Sequence, residues 1–136
     1  MGTNIIAAFC GTGKTFICEK GNKKAVEIEY WKYKDGLSEE YIKLIKEYCG
    51  KFDYVFISTD PEGLSLLKNE GFDITLVYPE NSLRNEYLDR YINRDSAYEF
   101  IGTFMKNWNI WIDELKQQHF CKQIVLKSGQ FLIDIL

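Results

Sequence analysis

At 136 residues the chain is expected to make one domain, long enough to bury roughly two-thirds of its unfolded surface. Its 46% apolar and 15% aromatic content excludes disorder, and a net charge of −3 argues against a broad footprint for duplex nucleic acid. Four cysteines without a C-x-x-C pair, and the single histidine His119, argue against a zinc site.

No apolar run reaches the roughly 20 residues that span a bilayer. No signal peptide is expected, and nothing resembles a disulfide-stapled secreted domain. The expected compartment is a reducing cytoplasm, and no membrane partner is expected.

Asn4 to Phe9 reads as a buried strand that ends in a glycine-rich turn. Lys14 to Lys20 follows as a short helix closed by Gly21. Ala25 to Tyr30 alternates as a second strand. Ser38 caps a helix running to about Tyr48, with Gly50 beyond it. Tyr54 to Thr59 is a third strand. Thr59-Asp60-Pro61-Glu62 then opens a helix with a capping box and an early proline, and Gly71 ends it.

Asp73 to Tyr78 is a fourth strand, stopped by Pro79. Ser82 to about Asn93 is helical. A second capping box, Ser96 to Glu99, starts the longest helix, whose apolar stripe runs through Ile101, Phe104, Met105, Trp108, Trp111, Ile112 and Leu115. Gln123 to Leu126 is a fifth strand and Gln130 to Leu136 a last short helix. Such alternation predicts an α/β protein, with a five-stranded parallel sheet in a three-layer α/β/α sandwich. Chemistry is then expected beyond the C-terminal strand ends.

The first such end reads Ala8-Phe9-Cys10-Gly11-Thr12-Gly13-Lys14-Thr15. It matches G-x-x-x-x-G-K-[ST] with alanine at the first glycine. Gly11 and Gly13 let amides turn inward around phosphate oxygens. A helix start adds its positive end. Lys14 would reach the β- and γ-phosphates of ATP, and the Thr15 hydroxyl would ligate Mg²⁺. Cys10 and Thr12 complete the loop.

From these residues onward the chain resembles P-loop nucleoside and nucleoside-monophosphate kinases, and more closely small proteins of that superfamily carried by bacteriophages and Gram-positive bacteria. The resemblance runs through Leu76-Val77-Tyr78-Pro79, the helix from Glu86 to Arg94 and the tryptophan segment from Asn107 to Ile112. It implies strand order 2-3-1-4-5, ATP on the phosphate loop and an acceptor over strands two and three. It also implies a mobile arginine lid after strand four, near residues 81–95, and adenine held by the backbone around Lys127, Ser128 and Gly129. If the chain is phage-encoded, its compartment is the host cytoplasm. Larger kinases of the group carry an acceptor-binding insert and a lid domain, for which this chain has no room.

Arginine occurs only at Arg84, Arg90 and Arg94. Phosphoryl transfer needs fixed positive charge on the moving oxygens, which guanidinium supplies well. The plainer alternative is surface ion pairing with Asp89 or Glu86. Glu27 and Glu29 alternate on the second strand. Glu29, nearer its C-terminal end, could bind acceptor hydroxyls, orient a Mg²⁺-bound water or act as a base. Asp60 ends the third strand, where P-loop proteins keep a residue near Mg²⁺. Capping explains it equally well, and Ser58 is an alternative. Trp108 and Trp111 read as core, while Tyr30, Trp31 and Tyr33 could stack on an acceptor or pack a loop.

The expected function is transfer of the γ-phosphate of ATP to a small acceptor, a nucleoside or nucleotide. The alternative is a non-catalytic nucleotide binder or switch, such as a viral protein that captures a host nucleotide.

Overall fold

The structure, a computed structural model, describes residues 2–136. Its strands are β1 (Asn4–Ala8), β2 (Ala25–Ile28), β3 (Tyr54–Ile57), β4 (Ile74–Pro79) and β5 (Lys122–Leu126). They form one sheet in the order β2-β3-β1-β4-β5, and every pairing is parallel. The expected α/β class and strand order therefore hold. The helices are α1 (Lys14–Lys20), α2 (Ser38–Tyr48), α3 (Pro61–Asn69), α4 (Arg84–Asn93) and α5 (Tyr98–Lys116).

The central strand shows how the layers arise. Successive side chains of a strand face opposite ways. Ile5, Ala7 and Phe9 meet buried residues of α2, α3, α4 and α5, among them Ile45, Leu64, Tyr91 and Trp108. Ile6 and Ala8 meet Ile17 of α1 and Leu132 near the C-terminus. A strand buried on both faces must be apolar throughout, and β1 is buried from Ile5 to Ala8. Phe9 locks it to α5, edge-on to Phe104 and Trp108 at 5.6 and 5.4 Å between centroids.

Several element ends differ from expectation. β2 stops at Ile28, because Tyr30–Lys32 turns into a 3-10 helix. The C-terminal helix is only a 3-10 turn, Leu132–Ile135. None of the three anticipated caps forms a side-chain cap bond. Ser38 is the first residue of α2 rather than its cap. The other capping side chains have different partners. Asp60 accepts from the Ser58 hydroxyl at 2.8 Å, and Glu62 from the Tyr30 hydroxyl at 3.1 Å. Ser96 accepts from Arg94 Nε at 2.9 Å.

Among the described residues, no helix is long and apolar enough to cross a membrane.

Candidate functional site

β1 delivers the chain at Ala8 into a loop that returns at Lys14, the first residue of α1. Gly11 and Gly13 take φ of 91° and 97°, which a side chain would oppose. Every carbonyl from residue 8 to residue 13 has a protein donor. Ala8 O accepts from Lys14 Nζ at 2.7 Å, and Phe9 O from the Thr12 hydroxyl at 2.7 Å. Cys10 O accepts from the Tyr91 hydroxyl at 2.9 Å, and Gly11 O from an Arg90 nitrogen at 2.9 Å. Thr12 O takes the Leu132 amide at 2.8 Å and Gly13 O the Ile17 amide at 3.3 Å.

The donors of the loop are treated differently. Among the described residues, the amides of Gly11, Gly13 and Lys14 give to no protein acceptor. A backbone whose carbonyls are tied and whose amides are free is a concave donor surface, suited to an anion. Lys14 lies half-buried beside it. Burial pushes its pKa below the ordinary lysine value, against the pull of Glu27 and Asp60. The Thr15 hydroxyl donates to Glu27 Oε1 at 2.9 Å.

The segment 81–95, expected as a mobile lid, packs against α5 and the loop in this structure. Tyr87 and Tyr91 are fully buried, and Trp108 Nε1 donates to Asn81 O at 2.8 Å. The three arginines separate accordingly. Arg84 gives two bonds to Met105 O, at 3.2 and 3.0 Å, and so ties α4 to α5 away from the loop. Arg90 donates to Gly11 O, to Gln130 O at 3.0 Å and to Glu86 at 3.2 Å. Its guanidinium lies over the Tyr87 and Phe131 rings, at 4.3 and 3.9 Å. Arg94 donates to Cys10 Sγ at 2.9 Å and is the most exposed of these contacts to the cleft.

The turn after β5 closes the other side. Glu86 accepts from the Ser128 hydroxyl at 2.6 Å and the Gly129 amide at 2.8 Å. Of the backbone expected around adenine, the Gly129 amide is thus engaged with α4 and the Lys127 amide with Gln130 Oε1 at 2.8 Å. Phe131, not singled out from the sequence, instead lies beside Gly13.

The Gly129 amide, the Ser128 hydroxyl and Arg90 hold Glu86 below the usual carboxylate range. A depressed folded pKa stabilises above the unfolded value, and that contribution is lost as pH falls through the folded one. Glu86→Gln should therefore lower stability at pH 7 by about 1 kcal/mol. The gap to the parent protein should close as pH falls through the lowered Glu86 value, as read from denaturation midpoints. A gap independent of pH would contradict this role for Glu86.

Above the strand ends these parts frame one cleft of about 930 Å³. Glu27, Glu29, Asp60 and Glu114 line it, with Lys14, Arg90 and Arg94. Of the two strand carboxylates it is Glu27 that meets the loop. Glu29 lies past the end of β2 and pairs with Lys32 at 3.2 Å. Tyr30 is buried, whereas Trp31 is exposed and lines the cleft. Trp108 is core as expected, while Trp111 is half-buried and borders the cleft.

Among the described residues, no group of three or more His, Cys, Asp or Glu is placed to hold a metal. A nucleotide-bound Mg²⁺ needs only one or two side chains beside phosphates and water, which Thr15 and Glu27 fit. The chain matches no family model and no curated protein.

Proposed function

We propose that this protein binds Mg·ATP on the loop from Ala8 to Thr15 and transfers the γ-phosphate to a small acceptor in the adjoining cleft. One observation carries the proposal. All carbonyls from residue 8 to residue 13 are held by protein donors, while the amides of Gly11, Gly13 and Lys14 are free. That is the electrostatic requirement of a phosphate cradle.

Within this reading Lys14 leaves Ala8 O for the β- and γ-phosphates, and its charge follows the oxygens through transfer. Thr15 and Glu27 are the residues that would hold Mg²⁺, and bound there the ion would neutralise phosphate charge. Arg94 is the arginine with access to the moving phosphoryl group. Arg90 acts as a positioning residue, since its nitrogens fix Gly11 O and Gln130 O. Arg84 is structural. Asp60, expected near the metal, and Glu29 stand over the acceptor side, where a carboxylate can take the acceptor proton.

The size of the cleft favours transfer over simple capture, because a nucleotide binder has no need of room for a second molecule. The test is a screen of nucleosides, nucleotides and small hydroxylated metabolites with Mg·ATP. A true acceptor should raise ADP release by orders of magnitude and yield a phosphorylated product. ADP release fixed at its basal rate across the panel, with one nucleotide bound tightly and returned unchanged, would establish the non-catalytic binder instead.

A further inference from the structure

The cleft extends well beyond what a triphosphate needs. Along α5 it is lined by Phe100, Phe104, Trp111, Glu114 and Leu115. At 1.5 Å per residue these positions cover roughly 20 Å of helix. Phe104 packs edge-on to Trp111, with centroids 4.9 Å apart, so the wall is a continuous aromatic surface. Trp31, exposed, stands on the rim after β2.

The charges in this cleft are unevenly committed. Lys14, Arg90 and Arg94 all bond to the loop, at Ala8 O, Gly11 O and Cys10 Sγ. Glu27 is held by Thr15. Glu29 is paired with Lys32. What remains is acidic: Asp60, which accepts only from the Ser58 hydroxyl, and Glu114, which has no ion-pair or hydrogen-bond partner among the described residues. A phosphate on the acceptor would need an arginine of its own. Arg84 is engaged at Met105 O, and Arg94 is needed by the γ-phosphoryl group. Beside Asp60 and Glu114, neither of which has an ion-pair partner among the described residues, an acceptor phosphate would be repelled.

We infer that the acceptor is an unphosphorylated alcohol with a flat aromatic body and an amino or ring N–H group, the ring lying on the Phe104–Trp111 wall and the nitrogen donating to Glu114. This rests on the Mg·ATP reading above. In the transfer, the alcohol oxygen forms a bond to the γ-phosphorus as the bond from that phosphorus to the β–γ bridging oxygen breaks. The hydroxyl proton passes to the Asp60 carboxylate and then to water, and ADP leaves.

The test pairs adenosine, cytidine, thiamine and pyridoxamine each with its own phosphate ester. Each is assayed with Mg·ATP for ADP release and for product by mass, and ATP binding is measured separately by calorimetry. At least one parent alcohol should exceed its ester at least tenfold in kcat/KM. For that alcohol, Glu114→Gln should raise its KM about tenfold and leave the KM for ATP unchanged. An ester used as well as its parent overturns the inference while leaving the ATP reading intact. So does a panel that neither reacts nor binds although ATP binds. Absence of ATP binding overturns both.

Discussion

Lys14→Ala is expected to weaken Mg·ATP binding by a factor of about a hundred or more while the protein stays folded. Each charge-assisted hydrogen bond is worth about 1.5–3 kcal/mol, and the lysine would make at least two to phosphate oxygens. Every 1.4 kcal/mol is about tenfold. The head is turned back onto Ala8 O at 2.7 Å. Truncation therefore leaves one carbonyl without its donor, at a cost of about 1 kcal/mol. It also removes a cation that burial disfavours.

The same geometry fixes a proton count. Lys14 in the free protein titrates below the ordinary lysine value, and bound phosphates would raise it again. Between those two pKa values, binding takes up a proton. Affinity should then fall as pH rises past the free-state value, and calorimetric heats should depend on the buffer's ionisation enthalpy. Both effects should vanish in the alanine variant. Unchanged affinity at neutral pH in Lys14→Ala would remove the phosphate-cradle assignment.

The second large effect is expected at Gly11, where the loop meets the aromatic face of α4. A Cβ added there would lie 2.8 Å from Tyr91 Cε1 and 3.1 Å from Tyr87 Cδ2. Neither ring can yield cheaply. Both are fully buried, and Tyr91 is tethered through its hydroxyl to Cys10 O. The residue also has φ of 91°, costing a non-glycine residue about 1–2 kcal/mol. With overpacking of about 1–3 kcal/mol, Gly11→Ala should destabilise by about 3 kcal/mol and lower Tm by roughly 10 °C. Nucleotide affinity should fall with it, because the displaced loop loses its amide geometry. A variant with parental Tm and parental affinity would show that the loop is not clamped as described. Gly36→Ala is the control: φ is 81° there, but nothing lies within 4 Å, so only the backbone cost remains.

What the sequence disclosed was local. Two glycines before Lys14-Thr15, following an apolar run, marked the strand, loop and helix in order, and the structure places them so. The α5 stripe was legible because a helix repeats every 3.6 residues, and Trp108, Ile112 and Leu115 are buried as it requires. Partner choice over long separations was not legible. Arg90 is set by carbonyls at positions 11 and 130, and Arg84 by one at 105. A backbone carbonyl leaves no mark on residue type, so nothing in the sequence disclosed these partners. Glu29 was favoured over Glu27 because β2 was expected to reach Tyr30, two residues past its end at Ile28. The anticipated caps failed for the same kind of reason, since Tyr30, Ser58 and Arg94 supplied other partners.

The clasp on the loop also sets an order of events during synthesis. Residues 10 to 12 lie near the start of the chain, yet their carbonyls are held by Tyr91, Arg90 and the amide of Leu132. Chains emerge from the N-terminus forward, at about 5–20 residues per second. The glycine loop is thus made within the first second or two and waits several seconds for the groups that shape it. Contacts between residues so far apart close late, because loop-closure entropy must be overcome first. If the loop binds phosphate as proposed, a nascent chain lacking residues 130–132 would hold β1 and Lys14 without the groups that fix Thr12 O and help to place Arg90, so ligand capture would come late in folding.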